Sequence, residues 1–127
     1  MASIRHHTRV NRSADDAWAL ITEAGDIAWM PGVDSCSMEG DVRTVATMGM
    51  EIQEQIVVND AELRRLQYSI VGGPFVPEHH VATIDVLEDG DGALIVYSCD
   101  VRPDDIASTF DGVYQAGTEA IRAKLDD

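Results

Sequence analysis

The feature that most restricts this chain lies between residues 34 and 102. Six strand-like runs follow one another there, DSCSMEG, VRTVATM, MEIQEQIVVND, LRRLQYSIVGG, VPEHHVATIDVLED and ALIVYSCDVR, joined through EGD, MG, NDAE, GGPF and DGDG. Spacers that short connect only antiparallel neighbours, since a parallel crossover needs about a dozen residues or more. An antiparallel meander follows.

Upstream, SIRHHTRV alternates Ile4, His6, Thr8 and Val10 against Arg5, His7 and Arg9, a first strand with one partly apolar face. SADDAWALITEA then predicts a short helix, with Ser13 as N-cap, Asp15 and Asp16 at the positive end of the dipole, and Gly25 as a stop. GDIAWMPGV predicts a second short helical turn ended by Pro31 and Gly32. After Pro103, Ile106, Phe110, Val113, Tyr114, Gly117, Ile121 and Leu125 recur at helical spacing. The order is β-α-α-β6-α, an α+β chain whose seven-stranded sheet keeps one face wet and curls the other around the last helix. No repeat or linker divides residues 1–127, so one core serves the whole.

A chain of 127 residues buries roughly two thirds of its unfolded surface and needs no disulfides. Its 9 Lys and Arg against 23 Asp and Glu, net −14, are spread along the sequence, a poor match for nucleic acid or anionic membranes. No apolar run approaches the ~18 residues of a membrane span. With no apolar leader, Cys36 and Cys99 read as reduced thiols of a cytoplasmic protein.

One residue resists this pattern. In MEIQEQIVV, Met50, Ile52, Ile56 and Val58 share a face, and Glu54 stands among them. Either Glu54 reaches water at a frayed edge or that face lines a cavity. If Met48-Gly49 is a two-residue turn, Thr47 pairs with Met50, Val45 with Ile52, and Arg43 with Glu54, and cross-strand partners share a face. The carboxylate would then have a guanidinium beside it.

The order and spacing of DDAWALITE, DIAWMPGVDSC, the Arg of DVRTV, the Glu of EIQEQI, LQYSIVGGP, HHVATIDV and VYQAGTEAIRAKL resemble the START-type, birch-pollen-allergen-like helix-grip superfamily (SRPBCC). Within it, the chain resembles the polyketide cyclase/dehydrase and lipid-transport family. The resemblance covers nearly all of the chain and implies a helix-grip fold: a curved sheet gripping the terminal helix, with a ligand cavity between them.

Alternation extends the inner wall to Leu66, Tyr68 and Ile70, to His80, Ala82, Ile84 and Val86, and to Tyr97 and Cys99. The helix adds Phe110, Tyr114 and Thr118, and the Trp29-Met30-Pro31 loop sits at the mouth. Met50, Ile52, Tyr68, Ile70, Tyr97, Phe110, Tyr114 and Trp29 are the ligand-contact candidates, in the apolar and aromatic mix of a small-molecule pocket. Trp18, Phe110 and Ile121 also read as plain core, and Trp29 as a plug for its loop. His6-His7 and His79-His80 suggest a metal, but adjacent strand residues point to opposite faces, so no metal and no cofactor are expected. An inward His80 is an acid-base candidate by its pKa, and the competing reading bonds it to a tyrosine.

Two functions share such a pocket. The first is binding of a small hydrophobic molecule, a lipid, polyketide or isoprenoid. The second is a cyclase or dehydratase in which Glu54 or His80 moves protons, Arg43 stabilises an enolate, and Tyr68 or Tyr97 donates to a carbonyl. A third, weaker reading makes Trp29 and the terminal helix an apolar homodimer surface.

Overall fold

The computed structural model describes residues 1–126. Its elements run β1 (Ala2–Val10), α1 (Ala14–Ile21), β2 (Val33–Glu39), β3 (Val42–Thr47), β4 (Met50–Asp60), β5 (Arg65–Gly72), β6 (His79–Asp89) and β7 (Gly92–Arg102), then a 3-10 turn at Asp104–Ile106 and α2 (Ala107–Asp126). One antiparallel sheet holds the seven strands in the order β1-β7-β6-β5-β4-β3-β2. Strands β2 to β7 lie beside their sequence neighbours, as short spacers require, and β1 pairs with β7. This is the expected α+β helix-grip arrangement.

The two faces of the sheet differ as the alternation predicts. Inward, Leu66, Tyr68, Ala82, Ile84, Val86, Ile95, Tyr97 and Cys99 are buried. Outward, Arg65 pairs with Asp85 at 2.8 Å and Gln67 with Thr83 at 2.9 Å, part-buried polar contacts across neighbouring strands. Helix α1 packs on β6 and β7, and α2 on β1 and β7, through Tyr114, Gly117, Ile121 and Leu125. Cys36 and Cys99 are free thiols. Among the described residues, no helix is long and apolar enough to cross a membrane.

Three local readings change. Ser13 does cap α1, accepting from the Asp16 amide at 3.1 Å, but the helix ends at Thr22 and not at Gly25. Gly25 instead makes room: a Cβ there would stand 2.5 Å from the Met38 Cγ. The GDIAWMPGV stretch makes two successive turns in place of a helix, Met30 N–H to Ile27 O at 2.9 Å and Val33 N–H to Met30 O at 3.2 Å. Pro31 and Gly32 follow too closely for more: proline disfavours a helical Met30, and Gly32 sits at φ 77°.

The third change is in β4. Ile56 pairs with Tyr68, yet Val58 pairs with Gln67, so Val57 is an extra residue. This bulge reverses the alternation beyond it. Val58 therefore faces outward with Gln67, while Asn59 pairs with the buried Leu66. Asn59 turns its amide to the end of α1, bonding Thr22 Oγ1 at 2.8 Å and Thr22 O at 3.1 Å.

Candidate functional site

Between the concave face and α2 lies a cavity of about 650 Å³. Its wall is built from β3, β4 and β5 (Val45, Ile52, Ile70), from Ile84 and Tyr97, and from Phe110, Val113 and Gly117 of α2. Trp29, Met30 and Pro31, the Met48 turn and the Pro74-Phe75 loop also line it. Where α2 crosses the sheet Gly117 lets it come close: a Cβ there would stand 3.0 Å from the Tyr97 ring.

The Met48-Gly49 turn has both residues at positive φ, 50° and 75°, the backbone of a tight two-residue hairpin. It sets the register Thr47–Met50, Val45–Ile52, Arg43–Glu54. Arg43 Nε donates to Glu54 Oε1 at 2.9 Å, and Nη1 donates to Ala24 O at 2.8 Å, tying β3 to the loop after α1. The guanidinium also lies 4.5 Å above the Tyr68 ring centre. Arg43 is 5 % exposed and Glu54 15 %, and both line the cavity.

Burial raises the Glu54 pKa, and this outweighs the pull of Arg43 in the other direction. Burial alone would lower Arg43, but Glu54 and the nearby tyrosines hold its charge in place. Beside them the Tyr68 and Tyr97 hydroxyls are hydrogen-bonded to each other, and burial raises the pKa of both. Both phenols therefore stay protonated and able to donate.

His80 needs a correction. It is inward and only 3 % exposed, but it does not line the cavity; Phe110 and Tyr114 stand against it. The Ile70 amide donates to Nδ1 at 3.1 Å, so the ring proton sits on Nε2, which lies 2.8 Å from the Tyr114 hydroxyl. Burial, with a smaller effect from His79, lowers its pKa to about 4, so the ring is neutral near pH 7. Residue pairing between β5 and β6 stops at Tyr68–Ala82, and His80 satisfies the Ile70 amide just beyond that point. Its position makes it a clasp where two strands part.

Of the other expected wall residues, Met50, Ile52, Tyr68, Ile70, Tyr97, Phe110, Tyr114 and Trp29 line the cavity. Ala82, Val86 and Cys99 are inward but packed in the core, and Thr118 is buried with its hydroxyl on Tyr114 O. Phe75 and Met48 at the mouth escaped the sequence reading because they sit in turns, outside any alternation. A large apolar side chain inside a Gly/Pro-rich spacer was the available signal. The Ala24 carbonyl that holds Arg43 had no signal in the sequence. Among the described residues, no three His, Cys, Asp or Glu side chains gather as a metal-ligand group.

A curved antiparallel sheet closed by a C-terminal helix over a hollow defines the class of helix-grip proteins. The chain belongs to the family described as polyketide cyclase / dehydrase and lipid transport, which it matches over residues 1–126. Among solved structures it is similar to XoxI from Bacillus cereus, 26% identical, with 100% of this chain and 97% of that one covered at a TM-score of 0.91. An uncharacterised protein from Bacillus thuringiensis is 25% identical, covering 99% of this chain and 100% of its own at 0.90. Norcoclaurine synthase from Thalictrum flavum, solved with dopamine and hydroxybenzaldehyde, shares the fold at 22% identity and 0.77, covering 98% of this chain and 86% of that chain. No curated protein matches the sequence.

Proposed function

We propose that this protein binds a small hydrophobic ligand in the cavity between its sheet and α2. The observation that carries the reading is the hollow itself: about 650 Å³ behind a mostly apolar wall, with Arg43, Glu54, Tyr68, Tyr97 and Tyr114 among its polar groups. A well-packed core leaves few voids larger than a water molecule, so a hollow of this size is a built feature. A cytoplasmic setting agrees with two free thiols.

Native mass spectrometry of freshly purified protein, with a thermal-shift screen of apolar compounds, tests it. A ligand at a hundred times its dissociation constant adds about 2.7 kcal/mol of stability. Val45→Phe, which pushes a ring into the hollow, should remove that gain. A screen in which no apolar compound stabilises the protein would sink the proposal.

Catalysis of the cyclase or dehydratase type is the second reading, favoured by one observation. Glu54 is a carboxylate on the cavity wall whose pKa burial has raised, the direction that suits a general base. Arg43 and the paired tyrosines would stabilise an enolate, and His80, screened by Tyr114, takes no direct part. Norcoclaurine synthase, which shares the fold, was solved with dopamine and hydroxybenzaldehyde, and that agrees with this reading. Glu54→Gln should then abolish turnover while leaving the bound mass of a neutral ligand in place.

A further inference from the structure

The charges on the cavity wall restrict the headgroup of the guest. Among the described lining residues only Arg43 and Glu54 carry charge, and they are bonded to each other at 2.9 Å. Arg43 also gives Nη1 to Ala24 O. The one positive and the one negative group of the wall are therefore paired with each other, leaving no net charge on the lining. Near the mouth, Thr47 donates to Gly32 O and Trp29 to Asp26 O.

We infer that the ligand is electrically neutral, an apolar body carrying a hydroxyl or carbonyl group, and that carboxylates, phosphates and amines are excluded. The inference rests on the cavity being a ligand site. An anion entering this space meets the Glu54 carboxylate beside a guanidinium whose charge that carboxylate already balances, so no net positive charge offsets the loss of its own hydration. It must also approach a protein of net charge −14. A cation is drawn in from outside, but inside it meets Arg43.

A neutral group escapes both penalties. The Arg43 bond uses Oε1 of Glu54, leaving Oε2 to accept from a guest hydroxyl. The Tyr68–Tyr97 pair shares one bond between two hydroxyls, so a guest oxygen can take the second proton in place of the neighbouring Tyr114 hydroxyl.

Three probes of one chain length test this at neutral pH on the unmodified protein: decanol, decanoate and decylamine, followed by native mass spectrometry and calorimetric titration. Decanol should bind at least about tenfold more tightly than either charged probe, a conservative figure for an uncompensated charge in a low-dielectric space. Decanoate or decylamine binding as tightly as decanol overturns the inference and leaves the cavity reading standing. If none of the three binds, the inference falls, and the wider apolar screen decides the cavity reading.

Glu54→Gln supplies a second readout by uncovering the Arg43 charge. Decanoate should then gain about tenfold in affinity relative to decanol. A folded Glu54→Gln protein that rejects decanoate as strongly as before also overturns the inference. Should that variant fail to fold, the ranking in the unmodified protein decides alone.

Discussion

At the scale of single residues, the two ionisable groups that drew attention in the sequence have different fates. Glu54 was legible because a hairpin of two turn residues fixes which side chains stand opposite, and Arg43 fell at the matching place. His80 was legible only as inward, since strand phase does not say which neighbours come between a side chain and a hollow. Replacing Arg43 with Met strands Glu54 in the wall and should cost about 3 kcal/mol in urea denaturation, while Arg43→Met with Glu54→Leu should recover most of it. His80 predicts a pH effect of definite sign. Its folded pKa of about 4 lies below the ordinary 6.5, so between those values the unfolded chain takes up a proton that the folded one refuses. Its stabilising contribution is complete above 6.5 and falls by on the order of 3 kcal/mol as pH drops to 4. The raised pKa of Glu54 acts in the opposite sense above 4.5, so the comparison must be with a variant. His80→Gln should be less stable by about 1–2 kcal/mol near neutrality, with the gap narrowing as pH falls. A gap independent of pH would refute the clasp as described.

At the scale of elements, spacing carried nearly everything and chemistry at the joints carried the rest. The strands from β5 to β7 and the terminal helix emerged from alternation and helical stripe because each has a buried face, whereas β2, with no buried residue, emerged from the short spacers around it. The supposed second helix failed because Met30-Pro31-Gly32 ends each turn as soon as it forms, and Val58 was misplaced because a bulge leaves no mark in a pattern of apolar residues. Within α2 two glycines test what the crossing over the sheet demands. A Cβ on Gly112 meets nothing within 4 Å, so Gly112→Ala should stabilise by about 1 kcal/mol through helix propensity alone. Gly117→Ala gains the same propensity but presses within 3.0 Å of the Tyr97 ring, which its bond to Tyr68 and its edge contact with Tyr114 hold in place. Overpacking of that kind costs about 1–3 kcal/mol, so the net effect should be a loss, measured as opposite shifts of the urea midpoint for the two variants.

At the scale of the whole molecule, a net charge of −14 on 127 residues means that folding gathers repelling charges. Raising ionic strength from about 0.01 M to about 0.15 M shortens the screening length from about 30 Å to about 8 Å, and the melting temperature should rise by roughly 3 °C. A melting temperature that falls with salt would show that attractive surface pairs such as Arg64 with Asp15 and Glu88 outweigh the repulsion. The pairing of β1 with β7 has a consequence of another kind. During translation β2 to β7 can zip up hairpin by hairpin as they leave the ribosome, but β1, made before them, has no partner until β7 emerges. For most of synthesis it is a loose strand in search of an edge, and a neighbouring nascent copy offers the same edge. Strand exchange between chains on one polysome is therefore the misassembly to which this topology is most open.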